Sequence, residues 1–154
     1  MYRNILVAYD GSPESKLAID ECVHLSPQTD REIHVACVLH DPSPYLLAVE
    51  LVPEPAYRVD RERTQADLDA AAATLTQRGF TVRTHLIEGE PVEVVTRLVD
   101  ELRIDLLILG HKRTRSFALR WWRGAVDSML IERVHCAILL AGDTAASRQP
   151  ASEP

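Results

Sequence analysis

Ile5-Leu6-Val7-Ala8-Tyr9, followed directly by Asp10-Gly11-Ser12-Pro13, decides the fold. Five residues in a row without polar alternation read as a strand buried on both faces. Such strands belong to a parallel sheet covered by helices. The next four residues carry turn and cap chemistry. Ser12 suits the N-cap of a helix, and Pro13 suits its first position, where a missing N–H costs nothing.

Four further apolar runs lie downstream: Ile33 to Leu39, Phe80 to Ile87, Leu106 to Leu109 and Cys136 to Leu140. Helical periodicity fills each interval. Ala18, Cys22 and Leu25 share one face. Leu68, Ala71, Ala72 and Leu75 follow the i, i+3, i+4, i+7 template, and Val95, Leu98, Val99 and Leu102 repeat it. Val126, Met129, Leu130 and Val134 nearly do so. Gly79 stands where the second helix should stop, and Pro91 where the third should start. Strands and helices therefore alternate strictly, five against four. The expected architecture is α/β: one doubly wound, Rossmann-like domain with a five-stranded parallel sheet and helices on both faces. Sheets of this kind bind ligands beyond the carboxyl ends of their strands, where the strand order reverses. The ends to inspect are Asp10-Gly11-Ser12, Leu39-His40-Asp41 and Gly110 onward.

The composition narrows the function. A chain of 154 residues fits one domain. A net charge of −6 disfavours a nucleic-acid partner. No apolar run approaches the roughly 20 residues that span a bilayer. The apolar part of the N-terminus, ended by Asp10, is too short for a signal peptide. Cys22, Cys37 and Cys136 form no CxxC pair, which fits reduced thiols in the cytoplasm. His34 and Cys37 point to opposite faces of a strand, so no metal site is expected there.

The charge is unevenly spread. Gly110 to Ser128 carries Lys112, Arg113, Arg115, Arg120 and Arg123, with no acid before Asp127. These five cations leave the rest of the chain with 12 basic against 23 acidic residues, or −11. A basic loop between a strand end and a helix N-terminus suits an anion, because free N–H groups, the helix dipole and arginine forks all attract phosphate. A solvated basic loop, or one paired with acids elsewhere on the chain, is the competing reading.

Several segments, taken in order, resemble the universal stress protein (UspA) family. Ile5-Leu-Val-Ala-Tyr-Asp-Gly-Ser-Pro-Glu-Ser15 is similar to that family's opening strand and turn. Glu88-Gly89-Glu90-Pro91 is similar to its turn before the third helix, Asp105 to Gly110 to its fourth strand, and Arg133 to Leu140 to its closing strand. The resemblance spans residues 1–141 and implies the strand order 3-2-1-4-5. Residues 142–154 are expected to be a disordered tail.

Relatives that bind ATP carry Gly, two residues, Gly, nine residues, Gly, then Ser or Thr after strand four. Here Gly110 is kept, Arg113 replaces the second glycine, Gly124 comes one residue late, and Ala125 holds the hydroxyl slot. The resemblance implies that ATP, if bound, would meet Tyr9, Asp10, Val38, Gly110, Arg113, Gly124, Ala125 and Val126. Tyr9, Asp10 and Val38 would lie at the adenine and ribose end. The lost glycine and hydroxyl weigh against ATP. Arg113 and its neighbours are the one feature that could replace the glycine loop. Asp10 has a second role open to it, ordering the turn into the first helix.

Other features carry less. Asp41 to Pro55, with Pro42, Pro44, Pro53 and Pro55, is long for a connection, and reads as a lid or as a wandering surface loop. Adjacent Trp121 and Trp122 point apart, one toward a core and one toward a contact surface, or pack against arginines within the loop. His40 and His111 could meet at the carboxyl edge of the sheet, but no nucleophile pattern accompanies them. The last strand is uncharged and apolar. As an edge strand it would invite pairing, and a two-fold homodimer through Cys136, Ala137, Ile138, Leu139 and Leu140 is the simplest cover. The resemblance implies the same dimer.

Two functions follow. The first is a dimeric, cytoplasmic stress-response regulator, not an enzyme and needing no cofactor, that acts by binding a protein partner or a small phosphate-bearing ligand. The second is an adenine-nucleotide sensor built on the Gly110–Val126 loop, with at most slow ATP hydrolysis.

Overall fold

A computed structural model describes residues 1–25, 30–39, 54–110 and 124–142, of which 54–60 and 124–128 are described as backbone. The strands are β1 (Asn4–Ala8), β2 (Glu32–Leu39), β3 (Thr81–Glu88), β4 (Leu106–Gly110) and β5 (Ala137–Ala141). The helices are α1 (Pro13–His24), α2 (Glu54–Gln77), α3 (Pro91–Glu101) and α4 (Gly124–Arg133). The sheet order is β3-β2-β1-β4-β5, as expected. Every pair is parallel: β1 lies between β2 (Ala8 opposite Ala36) and β4 (Ala8 opposite Leu109), and β4 pairs β5 (Leu109 opposite Leu140).

The unbroken apolar runs are explained by the two cores they serve. Ile5 and Val7 of β1, with Tyr9 just beyond it, join Ile33, Val35 and Cys37 of β2 on one face. There they pack with Ala18, Ile19 and Cys22 of α1 and with Leu68, Ala71 and Leu75 of α2. Leu6, Ala8, Ala36, Val38, Leu107 and Leu109 fill the other face with Val92, Val95, Leu98 and Val99 of α3 and with Leu130 of α4. Each fully buried leucine or isoleucine stabilises the fold by roughly 1.5–3 kcal/mol. Alternate residues of one strand feed opposite layers, so Ile5 to Ala8 of β1 and Leu106 to Leu109 of β4 are apolar at every position.

The helix signals act where the sequence places them. The Ser12 hydroxyl accepts from Ser15 N at 3.2 Å, and Pro13 stands at the start of α1. Replacing the buried Ser12 by alanine removes this cap. It should cost about 1 kcal/mol, read as a lower denaturant midpoint at unchanged m-value. At α3 the Glu90 carboxylate caps by accepting from Glu93 N at 3.0 Å, before Pro91 at the first position. The start of β4 is tied to β1: the Asp105 carboxylate accepts from Arg3 N at 2.8 Å and Asn4 N at 3.2 Å.

Three boundaries differ from expectation. α2 begins at Glu54, so Glu54 and Pro55 belong to a helix of 24 residues and not to the connecting loop. Proline is tolerated there because a first-turn N–H has no partner inside the helix. β3 begins one residue after Phe80. β5 begins at Ala137, opposite Leu106, so Cys136 precedes the strand it was assigned to. Both offsets arise because an apolar run also includes the residue that packs a strand's entrance. The Pro42–Pro53 stretch, His40, His111, Trp121, Trp122 and tail residues 143–154 lie outside the described residues.

Candidate functional site

Two chain ends meet where the strand order reverses. The chain leaves β1 toward β2 on one side, while β4 sits on the other. The end of β1, carrying Tyr9 and Asp10, therefore lies beside the end of β4, carrying Gly110. In open parallel sheets, ligands bind where the crossovers diverge in this way.

Asp10 orders the turn with one carboxylate oxygen. Its Oδ1 accepts from Ser12 N at 2.8 Å, the Asx-type contact foreseen from the Asp-Gly-Ser motif. Gly11 between them has φ +76°, a left-handed conformation that glycine adopts without a Cβ penalty. The second oxygen, Oδ2, is buried and has no hydrogen-bond partner among the described residues. A buried carboxylate oxygen without a donor is costly, and a ligand hydroxyl or amine arriving there would relieve that cost.

Gly110 makes a close approach of its own. A Cβ at this position would overlap the Glu14 carbonyl and stand 2.7 Å from Ser15 N. The first glycine of the motif is thus required for packing β4 against the first turn of α1, whether or not a phosphate is bound.

The other assigned residues are distributed as follows. Tyr9 is only 4% exposed and joins the α1–α2 core, with its N–H bonded to Ala36 O at 2.8 Å. Burial raises the pKa of its phenol, and the neighbouring Asp67, Asp10 and Cys37 add to the rise. Val38 is 1% exposed and belongs to the opposite, α3–α4 core. Tyr9 and Val38 therefore face different layers. Gly124, Ala125 and Val126 form the first turn of α4, described here as backbone. Arg113 and the rest of the basic loop lie outside the described residues.

Asp67 was not anticipated. Its Oδ2 lies 3.4 Å from the position a Cβ on Gly11 would take, and its charge acts on Tyr9 and on Cys37. In the sequence it merely precedes Leu68, the first apolar position of the α2 stripe. Packing of α2 across α1, β2 and β3 brings it to the end of β1, and no local pattern announces that.

The thiols are held protonated. Burial pushes Cys37 up to about 12, with Asp10 and Asp67 adding to it, and burial pushes Cys22 up to about 12. Burial also raises Cys136, which is partly exposed. A neutral buried thiol is a poor nucleophile and a poor metal ligand. Among the described residues, no group of three or more His, Cys, Asp or Glu side chains could hold a metal ion, and no helix is long and apolar enough to cross a membrane.

Comparison with known proteins gives a consistent result. The family model for the universal stress protein family matches residues 1–141. A universal stress protein of Methanocaldococcus jannaschii is 24% identical over 141 residues, covering 91% of this chain and 82% of the relative. The crystal structure of a universal stress protein family member from Burkholderia pseudomallei is 25% identical and superposes with a TM-score of 0.67, covering 90% of this chain and 95% of that one. A family member from Arabidopsis thaliana, solved with AMP bound, is 15% identical with a TM-score of 0.62, covering 97% of each chain.

Proposed function

The chain belongs to the universal stress protein family, and from that premise we propose that it is a non-catalytic, homodimeric regulator of the cytoplasmic stress response. It acts through a small ligand or a protein partner docked at the β1–β4 switch point. The observation that carries this reading is Asp10, whose Oδ1 holds the turn while its buried Oδ2 has no donor among the described residues. A ribose hydroxyl supplies such a donor, and the AMP bound by the Arabidopsis relative is a ligand of this chemistry. The adenine-nucleoside part is the piece recognised. The Arg113 and Ala125 substitutions weigh against a triphosphate. Cys22, Cys37 and Cys136 are held protonated by burial, so no thiolate chemistry is assigned to them.

Dimerisation is supported by the apolar edge. β5 ends the sheet, and its Leu140 is 43% exposed. On α4, Ile131 is 53% exposed. A second copy pairing through residues 137–140 would cover the edge strand and satisfy its free N–H and C=O groups.

Calorimetry at low salt with AMP, ADP and ATP tests the ligand. AMP should bind, and Asp10→Asn, which leaves an acceptor at the turn but replaces the second oxygen, should weaken it about tenfold or more. No heat from any of the three, or equal affinity in the variant, would overturn the assignment. ATP bound more tightly than AMP and slowly hydrolysed would instead favour the second reading, a nucleotide sensor using the 110–126 loop.

A further inference from the structure

Away from the switch point, two histidines meet on the face of the sheet covered by α3. His34 of β2 is 4% exposed, and its Nδ1 lies 3.0 Å from Nε2 of His85 on β3. The ring centroids are 5.2 Å apart, with the planes tilted by 35°. His34 Nε2 lies 3.5 Å from Glu32 Oε2, and the other Glu32 oxygen pairs with Arg83 Nε. We propose that this pair is a proton-sensitive latch: it fastens edge strand β3 to β2 while both rings are neutral, and it releases β3 in mild acid.

The geometry allows one proton between the two rings. Two nitrogens 3.0 Å apart form a hydrogen bond when one carries a proton and the other offers a lone pair. With Glu32 accepting from His34 Nε2–H, His34 Nδ1 is the acceptor and His85 Nε2–H the donor. Charging both rings sets two N–H groups against each other in a part-buried contact, and the bond is lost.

The surrounding charges do not rescue the doubly protonated state. Glu32 on β2 favours the charged rings, but Arg83 on β3 opposes them and already holds one Glu32 oxygen. β1 presents Leu6 opposite His34 and Asn4 opposite Glu32, neither of them charged. α3, which packs on β2, buries Val92, Val95 and Val99, while its Glu93, Arg97, Asp100 and Glu101 are exposed. Burial is the largest influence on both rings and lowers their pKa values.

The sign follows from linkage. An unfolded or detached segment binds protons at the ordinary imidazole value of about 6.5, and the folded pair binds them only at lower pH. The latch is therefore fully formed above that value and weakens as pH falls through the window below it. Each proton taken up on release makes opening about tenfold more favourable per pH unit. β3 is the element to respond. It is an edge strand whose Thr81, Arg83, Thr84 and Glu88 are exposed, and on this face its inner contacts are His85 and Ile87.

Hydrogen exchange at about pH 7.5 and pH 5.5, corrected for intrinsic chemistry, reads the release strand by strand. Residues 81–88 should lose protection tenfold or more relative to β1 and β4, and the His34→Gln/His85→Gln double variant should lose this pH response. Equal loss in all strands, or an unchanged response in the double variant, would overturn the latch. Nitrogen-15 NMR of the wild-type imidazoles gives a check that needs no variant. Both rings should be neutral at pH 7.5 and titrate below about 6.5. Either ring titrating at or above that value would overturn it equally.

Discussion

Gly110→Ala is expected to destabilise the protein by about 3 kcal/mol, the upper end of what overpacking usually costs. The added methyl group would overlap the Glu14 carbonyl and press on Ser15 N. These are backbone atoms of a helix start and cannot swing aside as a flexible side chain would. α1 is held in place by the Ser12 cap and by Ala18, Ile19 and Cys22 in the core, so it cannot retreat without opening that layer. Urea unfolding followed by circular dichroism checks this, and a midpoint equal to wild type would mean that β4 and α1 are not in close approach. The result also separates two roles of this glycine. Destabilisation in ligand-free protein is a packing effect, independent of any phosphate.

Leu107→Ala should cost roughly 3–4 kcal/mol, because Leu107 is fully buried between α3 and the sheet and close-packed neighbours collapse only partly into the space. Leu140 is the informative counterpart. It occupies the neighbouring edge strand but is half exposed in the single chain. Leu140→Asp should change the stability of an isolated chain by less than about 1 kcal/mol. If β5 is covered by a second copy, the same change buries an unpaired charge in the interface. Sedimentation should then give a dimer for wild type and a monomer for Leu140→Asp, while Leu107→Ala stays dimeric but unfolds at lower denaturant. A wild-type monomer at micromolar concentration would refute the dimer.

The histidine pair illustrates why some of the chemistry could not be read in advance. In the sequence His34 stands out only against Cys37, on the opposite face of a strand, and the two do lie on opposite faces of β2. His85 sits 51 residues further on, and the parallel register of β2 with β3, which sets His85 opposite Ala36, is what brings it beside His34. Asp67 is a similar case: one carboxylate in a polar helix stretch, made local to Gly11 by packing alone. By contrast, the Asx contact of Asp10 and the cap at Ser12 were legible, because donor and acceptor lie within three residues of each other and the backbone between them has few alternatives.

The sequence by itself determined the alternation of strands and helices, the burial of β1 and β4 on both faces, the helix starts at Pro13 and Pro91, and the stop before Gly79. Each depends on period, cap or turn chemistry acting over a few residues. The resemblance to a known family supplied the strand order, which the structure bears out. Only the tertiary structure decided that Tyr9 and Val38 serve opposite cores, that Gly110 is a packing glycine, that Asp10 Oδ2 has no partner among the described residues, that Asp67 lies beside Gly11, and that His34 and His85 meet. These depend on register and on layers meeting across long stretches of chain. The contact energies that select such partners are realised only once the whole sheet is assembled.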